Sequence, residues 1–306
     1  MTTIRRLLYS TAATIVAAHP TLAQTSAAHP PVIDAHNHGT PADFARGDTL
    51  NVRYRFATVM PIDLDAWQSI DRSRVVLSLQ FPCDHGRAAM FGVPCLANGG
   101  DLPDTAWVRV QVKAGRVQAF GEFVSQYIGM SPADPRLDPY WSLAEEFDIP
   151  VGIHMGYGPP NAAYESSPTP VKTPNFRAAY GNPMLLEEVL LRHKKLRMSV
   201  MHAGWPMLES MITLLYAHPN VYVDVAGLQS ERLVPRAAYY RHLRGLVEAG
   251  FGKRIMYGAD GPSSAFAAKG IDAILAADFL TAEQKADILC WNAQRFFRLP
   301  ESVCKP

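Results

Sequence analysis

Short apolar runs of strand length recur along the chain, separated by stretches in which apolar residues return every three or four positions. Alternation of these two periods predicts a parallel sheet with helical crossovers. Strands are expected at Val32 to Ala35, Arg74 to Leu79, Val93 to Leu96, Val117 to Gly121, Pro150 to Ile153, Arg197 to Met201, Val221 to Val225 and Arg254 to Tyr257. A set of this size suits a closed sheet, so the predicted fold is α/β, a single-domain (β/α)8 TIM barrel. Between the strands, Pro139 to Phe147, Met184 to His193 and Met207 to Ala217 place apolar residues at helical spacing with polar ones opposite. The segment Tyr157 to Tyr180 is rich in Pro, Gly, Ser and Asn and too long for an ordinary connection, which marks it as a functional loop.

Composition fits this picture and narrows the partners. The 306 residues are 48% hydrophobic, enough to bury a large core, and one barrel of about 250 residues accounts for most of them. A balance of 29 basic against 28 acidic residues gives no electrostatic reason to expect nucleic acid or an anionic membrane, and a small-molecule substrate is the better default. At the start, Arg5 and Arg6 precede a weakly apolar run from Thr11 to Ala18, and Thr21-Leu22-Ala23 offers small residues for cleavage. Residues 1–23 are therefore read as a signal peptide, 24–31 as a linker, 32–300 as the barrel and 301–306 as a tail. The Arg pair is loosely like a twin-arginine signal, and the expected location is the periplasm. No other stretch is long and apolar enough to span a membrane. Export would permit disulfides, with Cys83–Cys95 and Cys290–Cys304 as the local pairs and buried thiols as the alternative.

The chemistry lies at the strand ends. The first strand closes in Ile33-Asp34-Ala35-His36-Asn37-His38, and side chains two apart on a strand share a face. Two imidazoles so placed can share a divalent cation. Other strands end in the same way: Ile149-Pro-Val-Gly-Ile-His154, Met198-Ser-Val-Met-His202 and Ile255-Met-Tyr-Gly-Ala-Asp260, with Glu122 following the fourth strand. Barrel active sites occupy that face, so agreement across strands points to one metal site.

With these motifs the chain resembles the amidohydrolase superfamily, in the branch of metal-dependent barrels that includes the aminocarboxymuconate-semialdehyde and gamma-resorcylate decarboxylases. The resemblance runs from about Val32 to Arg298 and adds Met201-His-Ala-Gly-Trp-Pro206, His218-Pro-Asn-Val-Tyr-Val-Asp224, Tyr257-Gly-Ala-Asp-Gly-Pro262 and Asn292-Ala-Gln-Arg-Phe-Phe297. It implies that His36, His38 and Asp260 are metal ligands and that His154 binds the same ion or a second. Glu122 separates the cases. Related phosphodiesterase-like members carry a bridging Glu here and hold two ions with the fifth- and sixth-strand histidines, whereas decarboxylase-like members lack it and use one.

The resemblance thus favours His36, His38, Glu122 and Asp260 around one ion, with Glu122, His154 and His202 around the other. The competing reading makes Glu122 a charged partner for an Arg at the barrel mouth. Zinc is the first expectation, with manganese or iron open. The implied activity is an exported metal-dependent hydrolase acting on an ester, lactone, amide or phosphoester, in which Asp260 takes the proton of an attacking water and His202, if not a ligand, polarises the carbonyl or protonates the leaving group. The alternative is a nonoxidative decarboxylase.

Other residues are expected to do less. Asp34 is read as an orienting or packing group, and Asp224 either lines the mouth or packs. His85, His193, His218 and His242 are expected at the surface. Arg177, Tyr157, Tyr164, Trp205 and the run Pro235 to Tyr240 are candidate substrate contacts, the Arg being suited to a carboxylate.

Overall fold

The computed structural model describes residues 29–45, 50–90, 92–164 and 173–306. The expected signal peptide and residues 24–28 of the expected linker lie outside them. Eight parallel strands pair in sequence order: β1 (Val32–Asn37), β2 (Val52–Val59), β3 (Val75–Phe81), β4 (Ala119–Phe123), β5 (Val151–His154), β6 (Met198–Met201), β7 (Val221–Asp224) and β8 (Ile255–Met256). Two backbone bonds bring the ends together, from Ala35 N to the Tyr257 carbonyl and from Asp260 N to the His36 carbonyl. The result is a nearly closed TIM barrel with helices between the strands, as the periodicity predicted.

One strand was misplaced and another missed. Val93 to Leu96 forms no strand: Val93 is exposed, Pro94 makes only an isolated antiparallel bridge with Arg87, and Cys95 is tied to Cys83. The missing member is β2, whose apolar run is interrupted by Arg53 and Arg55. Those guanidinium groups lie on half-buried positions of the strand, which a search for continuous apolar runs passes over. The three expected helices are present as Asp138–Glu146, the combined turns Pro183–Leu186 and Glu187–Arg192, and Leu208–Ala217.

The barrel floor is closed by the C-terminal helix Asn292–Phe297. Phe297 stacks on Phe56 with ring centroids 3.4 Å apart, and Phe296 packs on Tyr222. Beyond it the expected tail forms a short turn, Glu301–Cys304, pinned by the Cys290–Cys304 disulfide. Both local pairings therefore form.

Local irregularities in the sheet aim the site. Asp34 pairs with Arg55 and Asn37 with Ala57, so β1 spends three residues where β2 spends two. β4 carries a similar extra residue, since Phe120 pairs with Val151 and Phe123 with Ile153. A bulge of this kind rotates side chains relative to strict alternation. Gly121 sits in that stretch at φ +141, where a Cβ would lie 2.7 Å from the Gly152 carbonyl oxygen of β5. The glycine lets the two backbones approach and sets Glu122 in the barrel mouth.

Candidate metal centre

At the C-terminal face, His36, His38, Glu122, His154, His202 and Asp260 come together, as their strand-end positions led us to expect. His36 Nε2 lies 3.1 Å from His38 Nε2, and both face Glu122 Oε2, at 3.8 and 3.3 Å. Asp260 Oδ1 completes this side at 3.5 Å from His36 Nε2 and 3.4 Å from His38 Nε2. On the other side of the carboxylate, Glu122 Oε1 lies 2.7 Å from His154 Nδ1 and 3.4 Å from His202 Nε2. The two oxygens of Glu122 thus face different pairs of imidazoles. Glu122 has no Arg partner among the described residues, so the surface-pair reading of it does not apply.

The imidazoles are oriented by carbonyl groups, which can only accept. His202 Nδ1 sits 2.8 Å from the Ala226 oxygen and therefore carries the proton, leaving Nε2 as a lone pair. His154 Nε2 sits 2.8 Å from the Tyr157 oxygen, which leaves Nδ1 as a lone pair. Those two lone-pair nitrogens are 3.0 Å apart and both face a carboxylate oxygen. Three acceptors converging in a buried space repel unless a cation lies among them. Buried Glu122 Oε2 and His36 Nδ1 likewise have no hydrogen-bond partner. The donor set, four imidazoles and two carboxylates, suits divalent zinc, manganese or iron.

Burial opposes charge on His36 and His202, yet the carboxylates around them raise both, so in the protein alone positive charge gathers on these imidazoles. Burial disfavours the charged form of Glu122, yet the four surrounding imidazoles hold its carboxyl well below the usual range. Burial likewise opposes protonation of His38, but hydrogen bonds to Asp260 and Glu122 push it up to about 9. His154 moves down, because burial outweighs its bond to Glu122. Asp260 remains ionised below the ordinary carboxylate range: burial opposes this, while His38, His36 and His202 favour it. His38 and Asp260 are about a quarter exposed, at 25% and 23%, whereas the other members are nearly sealed, so these two front the solvent side.

Two aspartates hold the frame. Asp34 accepts from Ala259 N at 2.8 Å and from the Asn37 side chain at 2.8 Å, joining β1 to the stretch after β8 as an orienting group. Asp224 does more than pack. Its Oδ1 accepts from His202 N and Ala226 N, and its Oδ2 faces His36 Nδ1 at 3.6 Å.

Several expectations fail here for identifiable reasons. Arg177 is exposed, donates to the carbonyls of Pro174 and Phe176 in its own loop, and is not among the residues that line the cavity. Tyr164 is 69% exposed and away from the cavity lining. The run Pro235 to Tyr240 opens the helix Arg236–Leu246 on the outer layer, with Tyr239 in the core and Tyr240 donating to Ala273. Of the four histidines expected at the surface only His85 is there. His193, His218 and His242 are buried because they plug the ends and inner faces of helices: His193 contacts Asp138, and His242 donates to Ala203.

Tyr157 does line the cavity, with its ring 5.5 Å from that of His202 and 5.3 Å from that of Trp205. Burial, followed by the charge of Asp260, keeps its phenol protonated. Tyr127 was not anticipated. It packs edge-on against His154 at 4.7 Å, and its place in the loop after β4 was the available signal.

Comparison with known proteins gives the family and the fold. The family model described as Amidohydrolase matches residues 33–299. No curated protein matches the chain. Among solved structures, a 5-carboxyvanillate decarboxylase from Novosphingobium aromaticivorans, complexed with manganese and 4-hydroxy-3-methoxy-5-nitrobenzoic acid, is similar at 16% identity, TM-score 0.53, over 84% of this chain and 79% of that one. A probable 2-pyrone-4,6-dicarboxylic acid hydrolase from Acinetobacter baumannii is similar at 14% identity, TM-score 0.55, over 87% and 99%. An amidohydrolase from Burkholderia multivorans with bound zinc is similar at 14% identity, TM-score 0.51, over 88% and 100%. At such identities these likenesses concern the fold.

Proposed function

The chain belongs to the amidohydrolase family, and from that premise we propose that it is an exported metal-dependent hydrolase acting on an ester, lactone, amide or phosphoester of a small molecule. The observation that carries the reading is Glu122, whose two oxygens face His36 with His38 on one side and His154 with His202 on the other. In this reading His36, His38, Glu122 and Asp260 hold one divalent ion and Glu122, His154 and His202 a second. Bound there, divalent cations supply Lewis acidity that makes water a nucleophile near neutral pH and polarises a carbonyl.

The chain's own groups then orient and move protons. Asp260, ionised and on the open side of the cluster, accepts the proton of the attacking water at a carboxylate oxygen and returns it to the leaving group. His202 is committed through Nδ1 to the Ala226 carbonyl and through Nε2 to the Glu122 side, which favours a ligand role over proton transfer to substrate.

Export is supported by the basic-then-apolar N-terminus and by two disulfides, which persist in oxidising compartments. No helix among the described residues is long and apolar enough to cross a membrane. The test is elemental analysis of the metal-loaded protein, followed by assays on lactones, esters, amides, phosphoesters and aromatic carboxylates. Two ions per chain and hydrolytic turnover are expected. One ion per chain with release of carbon dioxide from an aromatic carboxylate would replace this reading with the decarboxylase.

A further inference from the structure

Above the ligand cluster the cavity changes character. It has a volume of about 440 Å³, and beyond its floor of histidines and carboxylates the wall is made by Met90, Tyr127, Tyr157, Leu233, Pro262 and Phe266. No Lys or Arg is among the described residues that line it. Leu233 and Phe266 stand at the mouth as exposed large apolar side chains, 39% and 45% accessible. A second cavity of about 420 Å³ adjoins it through His38 and Met90; its charged lining beyond His38 is the carboxylate of Asp63, again with no Lys or Arg among the described residues.

We infer that this site selects uncharged, apolar carbonyl compounds, such as hydrophobic lactones or esters, and disfavours substrates with an anionic group away from the reacting carbonyl. The substrate class rests on the hydrolase reading. A distal carboxylate or phosphate would lose its hydration against this wall and meet no Lys or Arg among the described residues that line it, while meeting Asp63 in the adjoining space. An alkyl chain has the opposite balance, because each methylene buried there raises affinity by roughly fourfold until the wall is covered. The phenol hydroxyls of Tyr127 and Tyr157 have no hydrogen-bond partner among the described residues, and as neutral donors they suit an ester or ring oxygen.

The inference is tested by binding of two ketones that cannot be hydrolysed, 2-octanone and 7-oxooctanoate, which share the methyl ketone and chain and differ in the terminal carboxylate. Calorimetry on the metal-loaded protein is expected to show 2-octanone bound at least roughly tenfold more tightly. Affinity should also climb from 2-hexanone to 2-octanone. Equal binding of the pair, or preference for the carboxylate, overturns the inference. Leu233→Lys should shift the ratio toward 7-oxooctanoate by about tenfold, whereas Leu233→Met leaves it unchanged; a ratio indifferent to both would show that the wall does not meet the chain, which also overturns it. Octanoate esters and alkyl lactones assayed in parallel separate the two claims. A ketone preference without hydrolysis removes the hydrolase reading and keeps the selectivity, while hydrolysis without the preference does the reverse.

Discussion

His154 Nδ1 lies 2.7 Å from Glu122 Oε1, although the other nitrogen of the same ring already faces the Tyr157 carbonyl at 2.8 Å. A neutral imidazole has one proton and cannot donate to both. Burial drives His154 toward that neutral form, so Nδ1 keeps a lone pair beside the carboxylate, and the two would together hold a divalent cation.

Removing half of that arrangement should therefore change stoichiometry. Glu122→Gln is expected to lower bound metal from two ions per chain to one and to cut turnover by at least about a hundredfold. Elemental analysis decides the first part, and an unchanged count sinks the bridging role.

Asp224 acts through its neighbours. Asp224→Asn keeps an acceptor for His202 N and Ala226 N but removes the negative charge 3.6 Å from His36 Nδ1. Metal affinity, read by chelator competition, should weaken by roughly 10- to 100-fold while the fold is retained, and affinity equal to the parent would show that the charge does not matter.

Gly227 combines a left-handed backbone, φ +73, with a tight site: a Cβ there would run into Asp260 Oδ2 and come 2.8 Å from Tyr157 Oη. Gly227→Ala should lower kcat by displacing Asp260. Gly250→Ala, at φ +92 with open space around it, should cost only the backbone strain of about 1–2 kcal/mol and spare activity. Similar kinetics for the two variants would contradict this account.

The Cys290–Cys304 bond closes a short loop, with a sequence separation of 14. The Cys290→Ser/Cys304→Ser pair is expected to lose about 3 kcal/mol of stability, a fall in Tm of roughly 5–10 °C. Metal binding should persist at low temperature, because the bond lies at the barrel floor beside Phe296 rather than at the ligand face.

His242 makes folding pH-sensitive. Burial lowers its pKa in the folded state, against the smaller effect of its bond to Ala203. As pH falls below the unfolded value of about 6.5, the unfolded chain takes up the proton first, so stability is full above that value and declines on the acid side. His242→Gln, which can still donate to the Ala203 carbonyl, should flatten the dependence of Tm on pH between about 5 and 7 relative to the parent. An unaltered slope would mean that another group titrates.

What the sequence by itself determined was the alternation of strand and helix and the residues that end the strands. His36, His38, His154, His202 and Asp260 could be picked out because barrel geometry sends strand C-termini to one face, and both follow from local periodicity. Periodicity also misled where it was broken: Arg53 and Arg55 hid β2, and Val93 to Leu96 imitated a strand in a disulfide-bound loop. The resemblance pointed to Glu122 between two histidine pairs, but only the tertiary structure decided this against a pairing with Arg, because the facing depends on the extra residue in β4 and on the close approach of Gly121 to Gly152, neither of which has a local signature. It also decided the cavity wall. Met90, Tyr127, Leu233 and Phe266 lie far apart along the chain and meet only because the loops of a closed barrel converge on one mouth.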